Sequence, residues 1–268
     1  MRILRSVAKV ILLITGVACL SADWIAPHSY SEQFRAHPNS APTTTFPLGT
    51  DDLGRDRFTR LLYAARTSLL LAPATALLAL LLATVAGVLA GYGRHWVDAG
   101  ISAGTDLMLS LPWLFAILTL RALLPLNASP TLSMVATATL IACVGWAPAA
   151  RVIRAGVLQL RDSPAILQAR AGGLGGWRLL ALHLVPNLKP ILRAQFWILV
   201  PLFLITEANL GILGLGIPEP KPTLGGMLAE LQHFERVPAA PWILAPAVLL
   251  VSVVASLRIL ISGPKTWE

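Results

Sequence analysis

Residues 67–93 run for twenty-seven positions without one charged side chain. About 18 or more consecutive apolar residues are enough to carry a helix across a bilayer. A helix is also the form in which such a segment satisfies its own backbone N–H and C=O groups away from water. Five further stretches are predominantly apolar: 6–22, interrupted by Lys9; 99–124, with Asp106 and Arg121 near its ends; 131–150; 192–214, with Arg193 and Glu207; and 237–257. Hydrophobic residues make up 56% of the chain and charged residues 13%, against about a quarter charged in a soluble domain. The expectation is an all-α polytopic bundle of six spans, in contact with lipid over most of its surface. Cys19 and Cys143 both fall inside apolar runs, which suggests neither a disulfide framework nor a metal site.

Basic residues set the expected orientation, because they concentrate in cytoplasmic loops. With the N-terminus inside, thirteen Lys and Arg fall on the inner face: Arg2, Arg5, Lys9, Arg94, Arg151, Arg154, Arg161, Arg170, Arg178, Lys189, Arg193, Arg258 and Lys265. The other eight are offset by Asp23, Glu32, Asp51, Asp52, Asp56, Glu219, Glu230 and Glu235. Both termini are therefore expected in the cytoplasm. The net charge of +8 reads as attraction to anionic lipid, and no nucleic-acid partner is expected. A rival for residues 6–22 is a cleaved signal peptide, since Arg2 and Arg5 precede a short apolar stretch that ends near Val17-Ala18-Cys19.

Along the chain this predicts an N-terminal span (1–22), an external segment (23–66) and a core of five spans (67–268) with a cytoplasmic loop at 151–191. In that loop Ser163 and Pro164 have the types favoured at a helix N-cap and first turn. Residues 165–171 are helix-compatible, and Gly172, Gly173, Gly175 and Gly176 then break the chain before a second helical stretch over 177–184. A short helix across a membrane face serves either as a docking knob for a partner or as an amphipathic interfacial helix.

Four stretches carry a resemblance: FPLGTDDLGRDRFTRLLYAARTSL (46–69), AGYGRHWVD (90–98), the loop just described, and LGILGLGIPEPKPTLGGMLAE (210–230). In this order they resemble the inner-membrane permease subunits of binding-protein-dependent ABC importers. The likeness is to the dipeptide, oligopeptide and nickel branch and its second-permease type. The resemblance implies a type I importer permease fold in a bacterial inner membrane, paired with a second homologous permease. It also implies two ATPase subunits and an extracytoplasmic binding protein that delivers short peptides, with nickel complexes or glutathione as alternative cargo. No G-x-x-x-x-G-K-[ST] loop occurs, so the chain is expected to bind no cofactor itself and to leave ATP and Mg to its partners. The resemblance assigns ATPase docking to Ser163, Pro164, Leu167, Gln168, Ala169, Arg170 and Gly173. Here Leu167, Gln168 and Ala169 stand where that family has Glu-Ala-Ala, so the acidic residue is missing. Leu224 stands where it usually has Trp. The rivals from other classes are a stand-alone secondary transporter and a non-transporting scaffold. The first would need an internal repeat and charges near the bilayer midplane.

Single residues allow sharper expectations. Glu207 lies inside a predicted span, where an ionisable group faces protein or water. It either lines the pathway or is hydrogen-bonded to a neighbouring loop near the span's end. Asp51, Asp52, Gly54, Arg55 and Asp56, with Arg57, form an alternating cluster. Its arginines compensate the carboxylates locally, so it reads as a shaped turn and structural lock rather than an acid pair or metal cage. Asp98 and Asp106 border a span and are expected to be solvated or to cap a helix. His28, His37, His95, His183 and His233 show no ligand spacing.

Overall fold

The computed structural model describes residues 2–123, 129–232, 237–238 and 240–262. His233, Glu235, Lys265 and the expected span end at Leu124 lie outside the described residues. The described elements are helical: α1 (Arg2–Leu20), α2 (Ala22–Ile25), α3 (Arg57–Tyr92), α4 (His95–Ser110), α5 (Trp113–Ala122), α6 (Pro130–Gly145), α7 (Ala147–Arg161), α8 (Pro164–Ala171), α9 (Gly176–Leu179), α10 (Val185–Asn187), α11 (Lys189–Ile212), α12 (Leu224–Leu228) and α13 (Ala245–Ile261). Among the described residues four helices are long and apolar enough to cross a membrane, or up to six spans if each of two bent pairs counts as one.

Both bends have a local cause. α4 and α5 meet at 85° across Leu111-Pro112, where proline removes a donor and pushes the preceding residue out of helical geometry. Leu111 accordingly has ψ 136°. α6 and α7 meet at 48°, with Pro148 in the first turn of α7. Helix α3 begins ten residues before the charge-free run, at Arg57. The stretch 151–191, read from sequence as a loop, begins as helix, because α7 continues to Arg161. Its buried side, Ala149, Ala150, Ile153, Gly156 and Val157, repeats at helical spacing. That packing leaves Arg151 exposed and Arg154 and Arg161 half-buried along one continuous helix, with Arg161 Nη1 donating to Gly91 O at 3.3 Å.

Contacts group the chain into two compact units. The first comprises Met1–Pro73, Arg121–Ala138 and Pro201–Glu268, the second Ala74–Leu120 and Thr139–Val200. The division runs through α3 at Pro73 and α11 at Pro201, and both prolines lie within helices. In the first unit α1 lies along α13, and small residues dominate the core. Cys19, Ala64 and Ala65 pack with Leu224 and Met227, and Ala72 packs with Leu204 and Val253. In the second unit α4 packs on α7, and the C-terminal part of α3 approaches α7 at Gly87, which faces Ile153.

Candidate functional site

The LGTDDLGRD segment folds into a closed knot in the first unit. Thr50 and Asp56 form an isolated antiparallel bridge, and Gly49 and Gly54 take left-handed φ of 68° and 74°. Side-chain-bearing residues rarely adopt that region. At Gly54 space is also denied, because a Cβ would collide with the Phe34 carbonyl. Asp51 is buried. Its carboxylate accepts the backbone N–H of Leu53 (3.0 Å) and of Arg55 (2.8 Å) and the Arg55 Nε–H (2.7 Å). Asp56 starts α3, accepting from Phe58 N (3.1 Å), Thr59 N (3.2 Å) and Thr59 Oγ1 (2.6 Å). A carboxylate there satisfies donors that the first helical turn leaves over. His28 Nδ1 stands 3.4 Å from the same carboxylate, and its ring packs on Phe34 and Phe46. Asp52 is exposed on the rim.

Three arginines tie this knot to the other long motif of the same unit. Arg55 Nη1 and Arg60 Nη2 reach Glu219 at 2.8 and 2.7 Å. Arg57 pairs with Glu230 and donates from Nε to Thr50 O at 2.9 Å. Motifs about 160 residues apart in sequence thus share one set of ion pairs. Arg121 closes the arrangement, donating to Leu215 O (3.0 Å), Gly216 O (3.1 Å) and Ser133 Oγ (2.6 Å). Nothing in the sequence separates Arg121 from an ordinary span-end arginine. Its role depends on a turn 94 residues downstream.

Glu207 sits beneath that same motif, 3% exposed. Ser68 Oγ donates to its Oε2 at 2.8 Å and accepts the Leu224 N–H at 3.0 Å. The chain passes over it at Gly225, where a Cβ would lie 2.7 Å from the Glu207 carbonyl. Its carboxylate is thus held by Ser68 of α3, whose hydroxyl in turn receives the backbone at the start of α12. Leu224, at the position of the usual Trp, is fully buried.

In the second unit, Ser163 precedes α8 in extended geometry (ψ 148°) but makes no side-chain cap. Its carbonyl instead accepts the Leu167 N–H at 3.0 Å. Pro164 occupies the first turn, and Gly173, at φ 84°, turns the chain after Ala171. The second stretch over 177–184 is not one α-helix. α9 passes into a π-helical turn over Leu180–Leu184. Ile166, Leu179, Leu184 and Leu188 are buried and form the inward side of the hairpin. Leu167 is 49% exposed, Gln168 is exposed and Ala169 half-buried. The Arg170 guanidinium stands 5.5 Å over the Tyr92 ring at the end of α3. Asp98 lies in the first turn of α4 and Asp106 is 60% exposed, and each also pairs with an arginine of α7. Asp98 takes a two-pronged contact from Arg154 (2.5 and 2.6 Å), and Asp106 pairs with Arg151. They lie opposite those arginines because α7 continues as helix.

No group of His, Cys, Asp or Glu among the described residues could hold a metal ion. Residues 83–266 match the family described as binding-protein-dependent transport system inner membrane component. The dipeptide transport system permease protein DppC of Alkalihalophilus pseudofirmus is 32% identical over 257 residues, 94% of this chain and 82% of that one. The di/tripeptide transport system permease protein DppC of Pseudomonas aeruginosa is 32% identical, with 91% and 80% covered. The oligopeptide transport system permease protein OppC of Bacillus subtilis is 30% identical, with 85% and 72% covered.

Proposed function

Because the chain belongs to the family of binding-protein-dependent transport system inner membrane components, and is a membrane permease subunit, we propose that it forms half of the translocation pathway of an ATP-driven importer of short peptides. The peptide assignment is carried by one observation: permeases named for dipeptide and oligopeptide transport resemble it along nearly its whole length. The other half of the pathway would come from a second, homologous permease, with cargo delivered by an extracytoplasmic binding protein. The termini and the α8 hairpin would face the cytoplasm, and the LGTDDLGRD knot the opposite side.

The proposed motor contact is the outer face of α8. Two ATPase subunits, carrying ATP and Mg, would dock on the two permeases, one of them through Leu167, Gln168 and Ala169 with Pro164, Arg170 and Gly173 shaping the approach. No Asp or Glu occurs between residues 163 and 191. An apolar contact centred on Leu167, flanked by the Gln168 amide, therefore replaces the charged one that Glu would give. The Asp51–Arg55 knot, with Asp52 on its rim, would hold the periplasmic loops in one shape for the binding protein.

The test is co-purification with an ATPase pair, a second permease and a binding protein, then uptake of labelled dipeptide into proteoliposomes. Uptake requiring ATP and binding protein is the expected result. Recovery of the chain as a lone homo-oligomer that transports without ATP would sink the proposal.

A further inference from the structure

The second unit contains a polar cavity of about 360 Å³, lined in part by Ala90 of the 90–98 motif and by Arg151 and Arg154 of the stretch 151–191. This lies within the roughly 300–1,000 Å³ range of small-molecule sites. Its floor is Ala86, Gly87 and Ala90 of α3 with Ala150 of α7, side chains too small to fill the space. Ser102, Thr105 and Asp106 of α4 face Arg151 and Arg154 of α7 across it.

Its two ion pairs differ in a way that matters. Arg154 and Asp98 are joined twice, at 2.5 and 2.6 Å, with Ser102 also on Asp98 at 3.2 Å. Their side chains are 34% and 25% exposed. Arg151 and Asp106 meet through a single contact and are 55% and 60% exposed. One pair is pinned, and the other stands open at the mouth. Arg151 lies ten residues before the end of α7 and Asp106 eleven after the start of α4, about 15 Å along each helix at ~1.5 Å per residue. Charges at such positions in spans face protein or water rather than lipid tails.

We propose that this cavity binds a small zwitterion, its ammonium on Asp106 and its acidic group on Arg151. Both signs are present at the mouth, so a simple anion would meet the Asp106 carboxylate and a simple cation the Arg151 guanidinium. A molecule carrying both replaces one ion pair with two and leaves neither residue unpaired. Ser102 and Thr105 add hydroxyl oxygens, and Thr105 Oγ1 already donates to Ile101 O at 2.7 Å, which orients its lone pairs for an incoming N–H. Two sources share this chemistry: a free dipeptide in transit and the headgroup of an ethanolamine phospholipid. The first rests on the importer reading and the second does not.

The full chain is placed in nanodiscs of phosphatidylglycerol and titrated with L-alanyl-L-alanine. In parallel, ethanolamine phospholipid is supplied and its retention read by native mass spectrometry. Saturable dipeptide binding, weakened at least tenfold by Asp106→Asn with Arg151→Gln and by N-acetylation of the dipeptide, establishes the solute source. Retained ethanolamine lipid that the same double variant loses, with no competition from dipeptide, establishes the lipid source. Neither ligand bound, or both bound equally by wild type and double variant, overturns the proposal. The double variant keeps neutral hydrogen-bonding groups at both positions, and a monodisperse profile certifies its fold. ATP-dependent uptake by the wild-type assembly is scored separately, so an empty cavity with intact uptake refutes this site alone.

Discussion

Ser68 and Glu207, 139 residues apart, are joined by a 2.8 Å hydrogen bond, and the same Ser68 oxygen receives the Leu224 N–H at 3.0 Å. One hydroxyl thus fastens two helices and the start of α12. Removing it strands a buried carboxylate oxygen and a buried N–H, at a cost of about 1–3 kcal/mol. Ser68→Ala is expected to lower the melting temperature in detergent by several degrees. Glu207→Gln keeps an acceptor for Ser68 and should leave both melting and uptake within twofold of wild type. If Glu207→Gln abolished uptake without loss of expression, the residue would be acting on cargo instead of holding the loop.

Glycine substitutions separate strain from helix propensity. Gly54→Ala must place a side chain at φ 74° and against the Phe34 carbonyl, and left-handed backbone alone costs about 1–3 kcal/mol for other residues. Gly100 is helical, and a Cβ there would meet nothing within 4 Å, so Gly100→Ala should stabilise by up to about 1 kcal/mol. Thermal unfolding of the two variants should shift in opposite directions. A Gly54→Ala protein as stable as wild type would show that the knot relaxes freely.

The spans were legible because an uncharged run of twenty-seven residues leaves few alternatives, and α1 and α11 fall within a few residues of where hydropathy puts them, whereas α13 begins at Ala245, eight residues after the expected start at 237, behind a short 3-10 turn over Pro241–Leu244. Hydropathy fails where charges are paired. It ends the second span at Thr67, yet Arg57 and Arg60 lie inside α3 because Glu230 and Glu219 neutralise them. It cuts the fourth span at Arg151 for the same reason, since the partners Asp106 and Asp98 lie on another helix. The hairpin around α8 was visible from Pro164 and the glycines. The tie between the two long motifs was not, because nothing local to Arg55 specifies Glu219.

Asp23 anchors the short helix α2 to α3 through Tyr63 Oη (2.7 Å) and Arg66 Nη1 (2.8 Å). The Tyr63 hydroxyl first, and Arg66 with it, hold its carboxyl below the usual 3.8. A depressed folded-state value means the tether contributes fully above the ordinary carboxylate range and is lost as pH falls through the lower, folded value. Trp24, exposed beside Asp23, reports on it. Its fluorescence is expected to stay constant down to about pH 4 and to change only below that. Asp23→Asn should show the altered emission already at neutral pH, and identical titrations of the two proteins would remove the tether.

Leu167 offers the most direct test of how the hairpin grips a motor. Its side chain is half exposed while Ile166 beside it is buried, so truncating Leu167 should spare the fold. Leu167→Ala is expected to weaken ATPase retention about tenfold, near 1.4 kcal/mol, as for a central apolar anchor at an interface. Leu167→Glu should weaken it further, because it places an unpaired carboxylate in an apolar seat. Deleting residues 165–173 should abolish association while leaving membrane insertion intact. Pull-down from solubilised membranes ranks all three. Tighter binding by Leu167→Glu would mean that the motor keeps a basic socket and that this chain merely fails to fill it.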